Sequence, residues 1–116
     1  MNAFLYSPPE WFGDVANLIA RKNPDVQVYT NFEQVLCLIK EGKIKKLCIL
    51  FGGYAIPGDE CAEKIHAVAP EIPIMIWDSY GSTREAPNED YFSIKDYDTT
   101  EFLNMIAKFY CQEITV

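Results

Sequence analysis

Five short apolar runs alternate along the chain with stretches in which apolar residues recur at helical spacing. Residues 3–6 form the first run. Ser7-Pro8-Pro9-Glu10 then supplies a capping residue, a proline suited to a first helical turn and a glutamate three positions on. The helix that starts there carries Trp11, Val15, Leu18 and Ile19 on one face, and it ends at Asn23-Pro24 because proline disfavours helical geometry in the residue before it. Residues 26–29 read as the second strand. Thr30-Asn31-Phe32-Glu33 repeats the capping pattern, and Phe32, Val35, Leu36 and Ile39 form the apolar stripe of a second helix up to Gly42. The third strand, 47–51, ends in Gly52-Gly53. Asp59 and Glu60 open a third helix with Ala62, Ile65, Val68 and Ala69 facing inward, and Pro70 stops it. Residues 72–77 are the fourth strand and 91–94 the fifth. The polar stretch 81–88 between them reads as a loop with room for one helical turn, so the fourth crossover helix is shortened or missing. Asp98 and Glu101 cap a final helix whose Phe102, Met105, Ile106, Phe109 and Tyr110 make a wide apolar face.

Strands separated by helices require parallel pairing with right-handed crossovers, and both faces of such a sheet must be covered. The pattern therefore predicts an α/β chain folded as a three-layer α/β/α sandwich on a five-stranded parallel sheet. With 116 residues, it is read as one domain spanning 1–116.

Charge and cysteine usage narrow the function classes. The formal net charge of −7 opposes binding to phosphate backbones. The one dense basic run, 40–46, reads as a helix C-terminus followed by a solvated loop. No nucleic-acid partner is expected. Cys37, Cys48, Cys61 and Cys111 are scattered, with His66 the sole histidine, so no metal site of familiar spacing can be assembled and no cofactor is expected. Cys37 and Cys48 sit in apolar runs, where cysteine behaves as a small hydrophobe. Without a signal-peptide core or a long apolar stretch, a soluble cytoplasmic protein with no membrane partner is expected.

The third strand with its Leu47-Cys48-Ile49-Leu50 core, Pro57-Gly58 in the following loop, the run Pro70-Glu71-Ile72-Pro73-Ile74-Met75-Ile76-Trp77, and Phe92-Ser93-Ile94-Lys95 closing the fifth strand together resemble a receiver domain of two-component signalling. The resemblance spans nearly the whole chain and implies a flavodoxin-like sheet of order 2-1-3-4-5. Receiver domains hold magnesium on an acidic pair after the first strand and phosphorylate an aspartate after the third. They place a Thr or Ser after the fourth strand and a lysine after the fifth. The matching positions here are Ser7 and Pro8, Phe51, Asp78 or Ser79, and Lys95. Only the lysine is kept. Magnesium needs carboxylate oxygens and phosphoryl transfer needs an acceptor, so the chemistry does not carry over. The expectation is a phosphorylation-incompetent, non-enzymatic regulatory or protein-interaction module.

Several side chains compete for a functional reading. Tyr6, Phe51, Tyr54, Trp77 and Tyr80 fall at or just past strand carboxyl ends, the place where open α/β sheets bind ligands. With Asp78 and Lys95 they form a candidate crevice. The rings either plug the pocket or present a surface for a planar or anionic ligand, which would make the chain a small-molecule sensor. Asp78 and Lys95 are expected to pair as ions across adjacent strand ends. Gly52-Gly53 reads as a tight turn, since it lacks the spacing and lysine of a phosphate-binding loop. A serine triad is excluded because His66 is expected on a helix flank and no second histidine exists. Tyr91, Phe92, Phe102, Phe109 and Tyr110 are candidates for a surface that binds a protein partner, which includes a second copy of the chain.

Overall fold

The computed structural model describes residues 1–7, 9–52, 58–78, 91–93 and 97–111. Among these residues nine elements follow in chain order: β1 (Asn2–Ser7), α1 (Pro9–Lys22), β2 (Val26–Tyr29), α2 (Phe32–Lys40), β3 (Lys46–Phe51), α3 (Gly58–Val68), β4 (Ile74–Asp78), β5 (Tyr91–Ser93) and α4 (Thr99–Cys111). The strands pair in parallel in the order β2-β1-β3-β4, and the three residues of β5 lie beside β4. The loop at 81–88, with the expected shortening of a crossover helix, lies outside the described residues.

Strand side chains alternate between faces, so each strand feeds two separate cores. Ala3 and Leu5, then Leu47, Ile49 and Phe51, then Ile74 and Ile76 point to one side, where α2 and α3 supply Val35, Ile39, Cys61 and Ile65. Phe4, Cys48, Leu50, Met75 and Trp77 point to the other, against Ala16 and Ile19 of α1 and Phe102, Ile106, Phe109 and Tyr110 of α4. Two buried faces explain why β3 and β4 read as unbroken apolar runs.

Helix ends follow local chemistry, with one shift from expectation. The cap of α2 is Asn31 rather than Thr30, and its side-chain oxygen accepts the Gln34 backbone N–H at 3.1 Å. At the other end Gly42 adopts a φ of +73°, while Gly42 and Lys43 donate their N–H groups to Ile39 and Leu38 carbonyls. That arrangement satisfies carbonyls the helix cannot. Asp98 Oδ1 accepts the Glu101 N–H at 2.8 Å and starts α4.

Three sequence expectations are corrected. The run 40–46 is not wholly solvated: Lys46 is only 6% exposed, and its Nζ donates to the carbonyls of Phe109 at 2.9 Å and Tyr110 at 3.3 Å. The cation thereby caps the C-terminus of α4, where both the dipole and the orphan carbonyls favour it. Second, Cys37 is exposed because it falls on the outer side of α2, whereas Cys48 is buried, with its thiol pushed up in pKa by burial. Third, Phe102, Phe109 and Tyr110 are not surface residues: they are 5%, 8% and 8% exposed. The wide apolar face of the last helix is absorbed by the sheet, and the Tyr110 hydroxyl crosses to donate to the Ala3 carbonyl at 2.6 Å. Burial pushes that phenol well above its ordinary pKa.

Gly58 permits a close approach of α3 to the sheet. A Cβ there would lie 2.6 Å from Ile76 Cγ2 and 2.8 Å from Phe51 Cδ1, whereas a Cβ on Gly13 of α1 would meet nothing within 4 Å. The same substitution should therefore have opposite signs at the two sites. Gly58→Ala is expected to destabilise by about 1–3 kcal/mol through overpacking. Gly13→Ala is expected to stabilise by up to about 1 kcal/mol through helix propensity. Urea unfolding of both variants checks this, and equal shifts would contradict the packing described.

Candidate functional site

The carboxyl edge of the sheet carries most of the residues singled out by sequence. Parallel register aligns Ser7 with Phe51, Phe51 with Asp78, and Asp78 with Ser93, so these four form the last rank of the sheet. The Gly52 N–H donates to the Ser7 carbonyl at 3.1 Å and extends the β1–β3 pairing just past that rank. One rank back stand Tyr6, Leu50, Trp77 and Phe92.

Adjacent ranks face opposite sides, and this divides the candidate crevice. Phe51 is 7% exposed and packs with the α2/α3 core. Trp77 is 0% exposed and belongs to the α1/α4 core, with half-buried Tyr6 beside it. The expected single aromatic lining is thus corrected: its described rings lie on two faces of the sheet. Tyr54, Tyr80 and Lys95 lie outside the described residues, and with Lys95 goes the expected ion pair to Asp78. Asp78 itself is 1% exposed and is not without a partner.

Trp77 is the centre of an aromatic cluster. Its ring stacks on Phe92 at 5.0 Å and meets the edges of Tyr97 at 5.4 Å and Phe102 at 4.7 Å. These are favourable geometries for ring quadrupoles. Its Nε1–H has no hydrogen-bond partner among the described residues. Phe92 is half-buried by this stacking, and Tyr91 is placed by its backbone pairing with Ile76.

A cleft of about 130 Å³ opens on the α2/α3 side of the edge, lined by Leu5, Ser7, Thr30, Phe32, Phe51 and Cys61 among others. Among the described residues its lining side chains are apolar apart from the two hydroxyls and one thiol, and none is charged. Sequence reading missed Thr30, Phe32 and Cys61. Thr30 follows the end of β2, so the rule that picked out Tyr6 would also have found it; Cys61 carries no sequence signal, since only the packing of α3 brings it there. Among the described residues no group of three His, Cys, Asp or Glu side chains is placed to hold a metal ion. Nor is any described helix long and apolar enough to cross a membrane.

No protein-family model matches this chain, and no curated protein matches it either.

Proposed function

We propose that the chain is a phosphorylation-incompetent receiver-like domain that acts as a regulatory or protein-interaction module in signalling. The observation that carries the reading is the packing of Phe51. It ends β3 at the position matching the phosphoryl acceptor of receiver domains, and its ring is packed into the core against the start of α3. A buried phenyl neither accepts a phosphoryl group nor binds magnesium. The sheet order β2-β1-β3-β4 supports the same reading. On this reading the domain has no catalytic task, and it communicates with a partner protein through its exterior.

The cleft beside Ser7 and Thr30 supports a second reading, a small-molecule sensor. The lack of charge among its described lining residues favours a small uncharged ligand over an anionic one.

Adding beryllofluoride with magnesium to isotopically labelled protein tests the first reading by NMR. The expected result is no specific change at Ser7, Phe51 or Asp78. Saturable shifts clustered at those residues would overturn it.

A further inference from the structure

We propose that this chain associates head to tail, the basic amino edge of one copy docking on the acidic carboxyl edge of the next. In a parallel α/β sandwich every helix runs against the strands, so all helix C-termini gather at one edge and all N-termini at the other. Arg21, Lys22, Lys40, Lys43, Lys45 and Lys108 are all exposed at or near the amino edge. The described carboxylates there are Asp25, Glu41 and Glu71; Glu41 and Lys43 pair with each other at 3.0 Å, which leaves five cations against Asp25 and Glu71. At the carboxyl edge Glu10, Asp14, Glu33, Glu60, Asp98 and Glu101 are exposed, and Lys64 reaches toward them, its ammonium 5.9 Å from the centroid of the Phe32 ring. Each charge suits the dipole of its own helix. Added together, they give the described residues of a chain of net charge −7 a cationic end and an anionic end.

The occupant follows from that division. A nucleic acid or an anionic membrane would meet the cationic edge but also the field of the whole acidic molecule, whereas a second copy offers an edge of opposite sign. Ionic strength decides whether the match prevails over repulsion between two anionic chains. At about 0.1 M the Debye length is about 10 Å. Docked copies have centres separated by roughly the molecular extent of 27–33 Å, so repulsion between the whole molecules is largely screened. Charges facing each other across the contact are a few ångströms apart and are not. At about 1 M the screening length falls to about 3 Å, and the contact is lost as well. Because two different edges meet, the contact is heterologous and gives a ladder of oligomers rather than a closed dimer.

Lys40, Lys43 and Lys45 lie at the end of α2 and in the loop after it, and Glu33 and Glu60 lie at the starts of α2 and α3, which gives a charge-swap experiment on one side of the sandwich. Sedimentation equilibrium of the wild type should show open-ended association at about 0.1 M salt and monomers at about 1 M. The triple variant Lys40→Glu, Lys43→Glu, Lys45→Glu and the double variant Glu33→Lys, Glu60→Lys should each be monomeric alone at the lower salt. Mixed, they should associate again, because the reversed edges match each other and so do the two edges left unchanged; recovery also shows that both variants are folded. A wild type that is monomeric at both salts, a variant that still associates alone, or a mixture that stays monomeric overturns the proposal.

Discussion

Trp77→Ala is expected to lower the free energy of unfolding by about 3–5 kcal/mol, the largest effect of any substitution considered for this chain. The indole is fully buried in the centre of the α1/α4 core, and truncation removes its contacts with Phe92, Tyr97 and Phe102 together. Backbone on one side and α4 on the other leave the site little freedom to collapse. Trp77→Phe should cost much less, no more than about 1.5 kcal/mol. It keeps an aromatic ring in the stack and deletes an N–H that has no partner among the described residues. Urea unfolding at unchanged m-value measures both. A loss under about 1 kcal/mol for Trp77→Ala would mean that this aromatic cluster does not hold α4 to the sheet.

Lys46→Met should destabilise by about 1.5–3 kcal/mol, the range for hydrogen bonds made by a charged group. Methionine keeps the length and apolar body of the side chain but leaves the Phe109 and Tyr110 carbonyls without the Nζ donor they share. Helix ends buried without such a donor are costly. The desolvation that Lys46 suffers in the native state offsets part of the gain, which keeps the effect below that of Trp77→Ala. The loss should be local first. Hydrogen exchange in the last turn of α4 should rise more than exchange in β1 or β3, and uniform acceleration throughout the chain would contradict a capping role.

Much of the scaffold was legible in the sequence because its signals are local. Apolar runs, the capping residue Asp98, a cap for α2 expected at Thr30 and found one residue on at Asn31, and stop signals at Asn23-Pro24 and Gly42 each act within a few positions of the backbone they shape. The β2-β1-β3-β4 arrangement was anticipated through the resemblance together with the handedness of crossovers. The site was less legible. Tyr6, Phe51 and Trp77 all lie at or next to the ends of their strands, yet one residue of offset in the parallel register sends Phe51 to one side of the sheet and Trp77 to the other. The run 40–46 shows the same limit. Sequence marks its lysines alike, but β3 begins at Lys46 and carries that one inward.

The sequence by itself determined which stretches form strands and which form helices, that the strands must lie between two layers of helices, and that no carboxylate stands at the end of β3. Those properties depend on residue type and spacing along the chain. Only the tertiary structure decided which face each strand-end side chain occupies. It also decided that the last helix hides Phe102, Phe109 and Tyr110, that Lys46 caps α4 from 63 residues away, and that Gly58 lies against Ile76 and Phe51. These depend on register and on contacts between distant segments. Such contacts form only when two hydrophobic faces are buried at once, and spacing within one segment does not specify its partner in another.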